Sequence, residues 1–324
     1  MSSMNRRMIA AIATTALVAV LAGCGLQQSA GPAAAAGSAA PKVDLTGKTF
    51  TVGSKDFDEQ LVLCEITIAV LQSAGATANS KCNLGGTQVA RDALLGGQID
   101  MYWDYTGTAQ VTFLGGKPIQ DAAKQYETVK AADLARNQIE WLAPTQFNNT
   151  YAIAVSEAKA AELNLRSDSD MAAYYNKGGT GKTCVESEWL NRDDGLPGFL
   201  KTYGFKLPSG QPQVVDTGAV YQATADPDKC LFGEVFTTDG RIKALNLRVL
   251  TDDKAYQPLY NAALTVRKPV LDANPGLADL FAPISAALTN DEMITLNKQK
   301  SQDNVPARKV ARDWLASKGF IANP

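Results

Sequence analysis

TFTVG, residues 49–53, is a short run of aromatic and β-branched residues that ends on a glycine, and it predicts a buried β-strand. The segment that follows it, Asp56 to Ala74, has the apolar pattern of a helix. Its inward-facing candidates are Leu61, Cys64, Ile66, Ala69 and Val70. A strand that leads directly into a helix is the repeating unit of α/β folds, so this stretch predicts an α/β domain.

The next part of the chain repeats the unit. A helix is predicted at residues 88–95, and it ends at Gly96 and Gly97 before a strand at residues 99–103. Tyr105 to Thr108 then forms a predicted loop at the carboxyl end of that strand. Open α/β sheets bind their ligands at such strand ends, so this loop is a candidate ligand contact.

The remainder of the chain continues to alternate. A helix is predicted at 121–138 and a loop at 147–150 that enters a strand at 151–155. In the middle region, strands at 182–185, 213–215, 231–236 and 247–250 alternate with helices at 169–175, 195–203, 219–225 and 239–245. A strand at 262–266 and helices at 274–288, 290–299 and 305–318 close the chain. This alternation describes a second α/β domain inserted into the first.

We therefore expect two lobes joined by two crossings, with a cleft between them that closes by hinge motion. The first lobe is predicted to comprise residues 46–149 and 261–324, and the second lobe residues 150–260.

Residues 1–23 have the features of a secretory signal peptide. Arg6 and Arg7 precede an apolar stretch, Met8 to Val20, that is too short to span a bilayer comfortably. LAGC at residues 21–24 resembles a bacterial lipobox, which predicts that Cys24 is lipidated and begins the mature chain. The alternative is a lone cysteine behind an ordinary signal peptide. Residues 24–45, rich in Ala, Gly, Ser and Pro, are predicted to form a flexible tether. The protein is thus expected on the extracytoplasmic side of the cell membrane.

Composition excludes several classes of function. The chain contains no histidine, which excludes Ser-His and Cys-His nucleophiles, H-E-x-x-H metalloproteases and most zinc sites. Without Arg6 and Arg7 it has 29 basic and 33 acidic residues, a net charge of −4 that disfavours nucleic acid as a partner. We expect no metal and no cofactor.

Four cysteines follow Cys24, an even number in an oxidising compartment. We predict the disulfides Cys64–Cys82 and Cys184–Cys230, because each stays within one predicted lobe and leaves the lobes free to move.

GGTGKT at residues 178–183 resembles the end of a phosphate-binding P-loop. However, Asn176 stands where that motif needs glycine, and a strand rather than a helix follows. A glycine-rich turn is the better interpretation.

Three longer segments resemble the glycine betaine/carnitine/choline-binding proteins of ABC importers. They are GSKDFDEQ at 53–60; NLGGT at 83–87 with YWDYTGT at 102–108; and TTDGRI at 237–242, which continues through LTDDK at 250–254 to PLY at 258–260. The resemblance implies a two-lobed, type II periplasmic-binding-protein fold. It also implies a monomer that binds a quaternary ammonium compound, such as glycine betaine, choline or carnitine, and delivers it to the transmembrane subunits of an ABC permease, without being an enzyme.

The resemblance also implies the ligand contacts. It places aromatic cage positions at Tyr105, Tyr151, Phe236 and Tyr260, and polar contacts at Lys55, Thr108, Asn149 and Arg192. The chain departs from the family pattern at Phe236, where tyrosine is usual, and at Asn149, where an acidic residue is sometimes found.

Other interpretations of these residues remain open at this point. Aromatic residues at strand ends are often ordinary half-buried core residues, and Lys55 and Arg192 could be solvated surface charges. A surface enzyme could use Asp56, Asp58 and Glu59 as acid/base carboxylates, although acidic residues at a helix start also favour the helix dipole. A third alternative is a sensor that reports the solute to a membrane partner. Within the binding function, another trimethylammonium metabolite such as ergothioneine also fits the cage.

Overall fold

The computed structural model of the protein describes residues 34–192 and 194–322. The predicted signal peptide, Cys24 and the first part of the predicted tether lie outside the described residues. Among those described, no helix combines the length and the apolar character needed to cross a bilayer.

The strands are β1 Thr49–Gly53, β2 Thr77–Lys81, β3 Met101–Tyr105, β4 Ile139–Asn148, β5 Tyr151–Ser156, β6 Thr183–Val185, β7 Gln213–Val214, β8 Phe232–Phe236, β9 Leu247–Val249 and β10 Asn261–Arg267. The helices are α1 Asp58–Ser73, α2 Thr87–Leu95, α3 Thr106–Thr108, α4 Ala122–Asn137, α5 Glu157–Glu162, α6 Asp168–Asn176, α7 Ser187–Asn191, α8 Leu196–Tyr203, α9 Thr217–Ala225, α10 Arg241–Ala244, α11 Lys268–Ala273, α12 Gly276–Ala287, α13 Asn290–Ser301 and α14 Ala307–Ser317. A π-helix, Ala109–Phe113, continues α3.

The strands form two five-stranded sheets. One has the order β2-β1-β3-β10-β4, and we call the part of the protein built on it the first lobe; the other has the order β7-β6-β8-β5-β9 and defines the second lobe. The chain crosses between the sheets after β4 and returns after β9. This is the two-lobed α/β architecture expected from the sequence, with two crossings.

Helix α1 forms the centre of the first lobe. All its residues from Val62 to Leu71 are buried except Glu65, because the helix is covered by α13 and α14 as well as by the sheet. Helix α12 packs on β4. The C-terminal helices thus return to the first lobe.

Both predicted disulfides are present. Cys64 on α1 is bonded to Cys82 after β2, with 6.1 Å between their Cα atoms. Cys184 on β6 is bonded to Cys230 before β8, with a Cα separation of 5.8 Å. The pairing predicted from the lobe assignment is confirmed, and neither bond links the two lobes.

Two local expectations differ from the structure, and a third, the glycine-rich turn, agrees with it. Residues 36–45 were expected in a flexible tether, but Ala36 pairs with Ile321 and Leu45 is buried against the core. The segment 105–108 is a strand end and a helical turn, not a loop. The glycine-rich segment 178–181 is a turn that enters β6, so no P-loop helix follows it.

Candidate functional site

The eight residues singled out from the sequence line one cavity between the two lobes. They are Lys55, Tyr105, Thr108, Asn149, Tyr151, Arg192, Phe236 and Tyr260. The rest of the lining is Asp56, Phe57, Gly86, Thr87, Glu186, Glu188 and Thr217. Residues far apart in the sequence therefore converge on one site.

Strand ends bring these side chains to the cavity. Lys55 follows β1, Tyr105 ends β3 and Phe236 ends β8, as expected for an α/β sheet that binds its ligand at the carboxyl ends of strands. Tyr151 begins β5 and lies directly opposite Phe236 in the antiparallel β5–β8 pair. Tyr260 immediately precedes β10.

Gly107 allows Tyr260 to approach α3. A side chain at Gly107 would begin 2.7 Å from the carbonyl oxygen of Leu259 and 2.9 Å from the ring of Tyr260. Only glycine leaves room for this contact, which accounts physically for the glycine in the YTGT segment.

Tyr151 is the centre of the aromatic cluster. Its ring centroid lies 5.0 Å from that of Phe236 and 5.3 Å from that of Tyr260, with the Tyr260 ring nearly perpendicular. Trp189, which is fully buried, lies behind Tyr151 at 6.3 Å. Burial raises the pKa of the Tyr151 and Tyr260 phenols well above its ordinary value, so both rings stay neutral.

Phe57 is an aromatic wall that the sequence analysis did not identify. Its ring stacks on Phe236 at 5.4 Å and on Tyr105 at 6.2 Å, so it joins the rings of the two lobes. The available signal was its position: it lies in the GSKDFDEQ segment at the carboxyl end of β1.

The amine of Lys55 is already paired. Its Nζ lies 2.9 Å from Oδ1 of Asp104, and both side chains are buried. The same amine lies 5.2 Å from the ring centroid of Tyr105. Asp104 also accepts a hydrogen bond from the backbone N–H of Tyr105. The charge of Lys55 is therefore largely neutralised before any ligand enters.

The guanidinium of Arg192 is paired in the same way, with two carboxylates. Its Nε and Nη2 donate to Asp194 at 2.7 and 2.6 Å, and its Nη1 donates to Glu188 at 2.9 Å. Asp194 also accepts a hydrogen bond from the hydroxyl of Tyr260 at 2.5 Å. Sequence reasoning did not identify Asp194 or Glu188, although the i,i+4 spacing of Glu188 and Arg192 is a local signal for such a pair.

Glu186 is a further carboxyl group on the cavity. It caps α7 by accepting hydrogen bonds from the backbone N–H groups of Glu188 and Trp189. Burial raises the pKa of Glu186 to about 7, and the nearby Glu188 carboxylate acts in the same direction. Its backbone N–H donates to the buried Glu234, whose carboxyl pKa burial also raises.

The charges of the lining favour a cation. Asp56, Glu186 and Glu188 face two cationic residues, Lys55 and Arg192. Each cation is balanced by its own buried aspartate. Aromatic faces and an excess of carboxylates attract positive charge, and an aromatic cluster of this kind suits a cation that has no N–H to donate.

The comparisons with known proteins agree with this geometry. Residues 48–317 match the family model of the substrate-binding domain of ABC-type glycine betaine transport systems. The glycine-betaine-binding protein of Pseudomonas aeruginosa is 39% identical over 274 residues, which cover 83% of this chain and 87% of that protein. The glycine betaine-binding protein YehZ of Escherichia coli is 37% identical over 280 residues, covering 83% of this chain and 90% of that protein.

A solved structure agrees with the similarity to these relatives. The crystal structure of a glycine betaine/carnitine/choline ABC transporter superposes with a TM-score of 0.70 at 25% sequence identity. The superposition covers 84% of this chain and 99% of that one.

Proposed function

The chain belongs to the family of substrate-binding domains of ABC-type glycine betaine transport systems, and we propose from this premise that it captures a quaternary ammonium compound between its lobes and delivers it to an ABC permease. The observation that carries the proposal is an aromatic cluster around one cavity, to which both lobes contribute rings. Its members are Phe57, Tyr105, Tyr151, Phe236 and Tyr260.

An aromatic cluster matches this ligand chemistry. A trimethylammonium group carries a positive charge but has no N–H, so hydrogen-bond acceptors cannot bind it specifically. Aromatic faces attract it through their quadrupoles, at up to about 2 kcal/mol for each desolvated contact. Several such contacts approach the roughly 8 kcal/mol that micromolar binding requires, before the cost of association.

The polar residues of the cavity lining would contact the carboxylate end of a zwitterionic ligand. Lys55, Thr108, Asn149 and Arg192 would meet a carboxylate, as in glycine betaine or carnitine. A ligand carboxylate would have to share Lys55 with Asp104 and Arg192 with Asp194. Relatives that bind glycine betaine, and a carnitine transport binding protein of Listeria monocytogenes at 28% identity, support both ligand types.

The proposed role is binding without catalysis, on the extracytoplasmic face of the membrane. The LAGC segment at residues 21–24 supports a lipid anchor on Cys24. Mass spectrometry of the membrane-extracted protein should find a diacylglyceryl group on Cys24. A chain that begins at another residue would contradict the anchor and would leave the binding function untouched.

A panel of candidate compounds tests the identity of the ligand. Thermal-shift measurements with choline, glycine betaine, carnitine and ergothioneine should show stabilisation by at least one, followed by calorimetry of that ligand. Each ligand should be recovered chemically intact, which an enzyme would not permit. The proposal fails if none of these compounds binds at millimolar concentration.

A further inference from the structure

Glu59 is a buried carboxyl group where the two lobes meet, directly behind the cavity. It lies in the first turn of α1 and is 3% exposed. Its Oε1 is 2.7 Å from the hydroxyl of Tyr105 and 2.8 Å from Nδ2 of Asn149, two residues of the cavity lining. Its Oε2 is 2.7 Å from Oγ1 of Thr238, in the second lobe, and 2.9 Å from Nδ2 of Asn297, on α13. Glu59 thus connects four separate segments.

Three of these side chains form a closed triangle. Besides its contact with Glu59, Thr238 Oγ1 lies 2.8 Å from Oδ1 of Asn149. The triangle therefore contains three contacts of hydrogen-bond length: Glu59 with Asn149, Glu59 with Thr238, and Thr238 with Asn149. Each contact needs one hydrogen between its two atoms.

An ionised Glu59 leaves this triangle one hydrogen short. A hydroxyl has one hydrogen, so Thr238 can satisfy only one of its two oxygen neighbours, and the amide of Asn149 supplies one more. Rotating that amide by 180° moves its hydrogen to Thr238 but then places two oxygens, of Asn149 and Glu59, against each other. In both orientations two hydrogens serve three contacts.

The outer neighbours cannot supply the missing hydrogen. The Tyr105 hydroxyl accepts from Gln60 and donates to Glu59. Asn297 directs its Nδ2 at Glu59 and at the carbonyl oxygen of Thr238, 3.0 Å away, and this carbonyl fixes the orientation of its amide. A proton on Glu59 supplies the third hydrogen in either orientation of Asn149.

We propose that Glu59 is a neutral carboxylic acid in the folded protein, and that its proton completes the hydrogen bonds that position Tyr105 and Asn149 against Thr238 of the second lobe. Glu59 is a positioning residue, because it acts on the cavity through Tyr105 and Asn149. Its effect on ligand affinity rests on the proposed function, whereas its protonation does not.

The charged groups around Glu59 are paired with one another. Arg241 binds Asp239 and lies 3.9 Å from Asp58, and Lys300 on α13 lies 2.9 Å from Asp58. None of these groups hydrogen-bonds Glu59. A buried carboxylate without a cationic partner is costly, whereas a neutral acid with a complete set of hydrogen bonds is not.

Burial acts on Glu59 in the direction that the hydrogen count requires. Desolvation raises the pKa of Glu59, and the four hydrogen-bond donors oppose it with smaller effects. The Tyr105 phenol, whose pKa burial raises well above its ordinary value, stays protonated as a donor. Lys55, the cation nearest to Tyr105 in the cavity lining, is occupied by Asp104.

The substitutions Glu59→Gln and Glu59→Ala separate a neutral acid from a carboxylate. Glutamine is neutral and has the same shape. With the Asn149 amide rotated, its N–H₂ group at the Oε1 position supplies the missing hydrogen, although it no longer accepts the hydrogen bond of the Tyr105 hydroxyl. We expect E59Q to melt within about 3 °C of the wild type at pH 7 and to bind glycine betaine, or whichever quaternary amine of the panel binds the wild type, within about fivefold. We expect E59A to melt about 5 to 10 °C lower and to lose at least about tenfold in affinity. An E59Q protein as impaired as E59A would overturn the proposal.

Two measurements without ligand test the proton itself. The infrared difference spectrum of wild type minus E59Q should contain the C=O stretch of a protonated carboxyl group at pH 7. The raised pKa also means that the unfolded chain releases a proton that the folded chain keeps, so wild-type stability should fall relative to E59Q as pH rises from about 5 towards 8. A missing carboxyl band, or parallel pH profiles, would show that Glu59 is ionised. Failure of every quaternary amine to bind would refute the proposed function and leave these two results standing.

Discussion

Thr87, the first residue of α2 in the first lobe, donates two hydrogen bonds to the carboxylate of Glu188 in the second lobe. Its backbone N–H lies 3.1 Å from Oε2, and its hydroxyl lies 2.5 Å from Oε1. Glu188 also accepts from Arg192 within its own lobe. The pair therefore ties one wall of the cavity, in the first lobe, to the other, in the second.

Replacing Thr87 by valine should weaken ligand binding by favouring separated lobes. The substitution removes the hydroxyl bond to a charged acceptor but keeps the shape of the side chain, so we expect about a tenfold loss of affinity by calorimetry. Small-angle scattering of the ligand-free protein should show a larger radius of gyration. Thr128→Val, on the exposed face of α4, is the matched control. Equal affinities of T87V and wild type would contradict a role for this contact in closure.

Phe57→Leu should separate cation binding from packing. Leucine fills most of the volume between the rings of Tyr105 and Phe236 but has no aromatic face. We expect a loss of about five- to thirtyfold in affinity for a quaternary amine, measured by calorimetry, with a small change in melting temperature. Phe320→Leu, which removes a ring beside Trp314 instead, should leave affinity unchanged. A ligand that binds F57L as it binds wild type would show that Phe57 is only a packing residue.

The sequence predicted the elements that have a strong apolar pattern, and it missed those that do not. Strand β2, TANSK, is largely exposed at the edge of its sheet, so no burial pattern marks it. Strand β4 contains Pro144 at the point where its register with β10 shifts. Proline lacks the N–H that a ladder needs and normally argues against a strand, but β4 is an edge strand and tolerates it.

For the cavity, resemblance to a family identified the residues but not their partners. The sequence indicated which positions could converge because strand ends and family motifs are local. The partners of Arg192 lie within four residues of it, but the pairing of Thr87 with Glu188 across 101 residues depends on how the two lobes meet. Such contacts are set by tertiary packing, which a single sequence does not encode in any short segment.

Cation affinity should rise with pH near neutrality because of Glu186. Burial raises the pKa of Glu186 to about 7, so the group is mostly protonated at pH 6 and mostly ionised at pH 8. An ionised carboxylate on the cavity attracts a cation, and a ligand that lowers the pKa by up to about one unit gains up to about tenfold in affinity. Choline titrations from pH 6 to 8 should show this rise, and Glu186→Gln should flatten it. A wild-type affinity for choline that does not change between pH 6 and 8 would contradict this role of Glu186.

The two disulfides should differ in their contribution to stability. Cys64–Cys82 and Cys184–Cys230 have sequence separations of 18 and 46 residues. On the chain-entropy model the shorter loop contributes about 3 kcal/mol and the longer about 4 kcal/mol. Urea denaturation of the C64A/C82A and C184A/C230A proteins should show losses in this order, after allowance for the alanine substitutions themselves. A larger loss for C64A/C82A would indicate that packing around the buried Cys64 outweighs loop entropy.

Arg192→Met should reduce the affinity for glycine betaine more than that for choline. In the wild type, the guanidinium is balanced by Asp194 and Glu188, so the site tolerates a ligand carboxylate but does not strongly attract it. Without the guanidinium, the carboxylates of Asp194 and Glu188 lose the positive charge that balances them beside the cavity. They would repel the carboxylate of glycine betaine and attract the cation that both ligands share. Because buried Asp194 loses its partner, the variant should also be less stable, and affinities of both ligands could fall together for that reason alone. The ratio of the two affinities, measured on the same preparation, removes this common effect, and we expect it to shift by at least about fivefold in favour of choline.

The double variant Arg192→Met with Asp194→Asn, which restores the charge balance, should bring the ratio back towards the wild-type value. An unchanged ratio in the single variant would show that Arg192 only supports the wall formed by Tyr151 and Tyr260 and does not act on the ligand's charge.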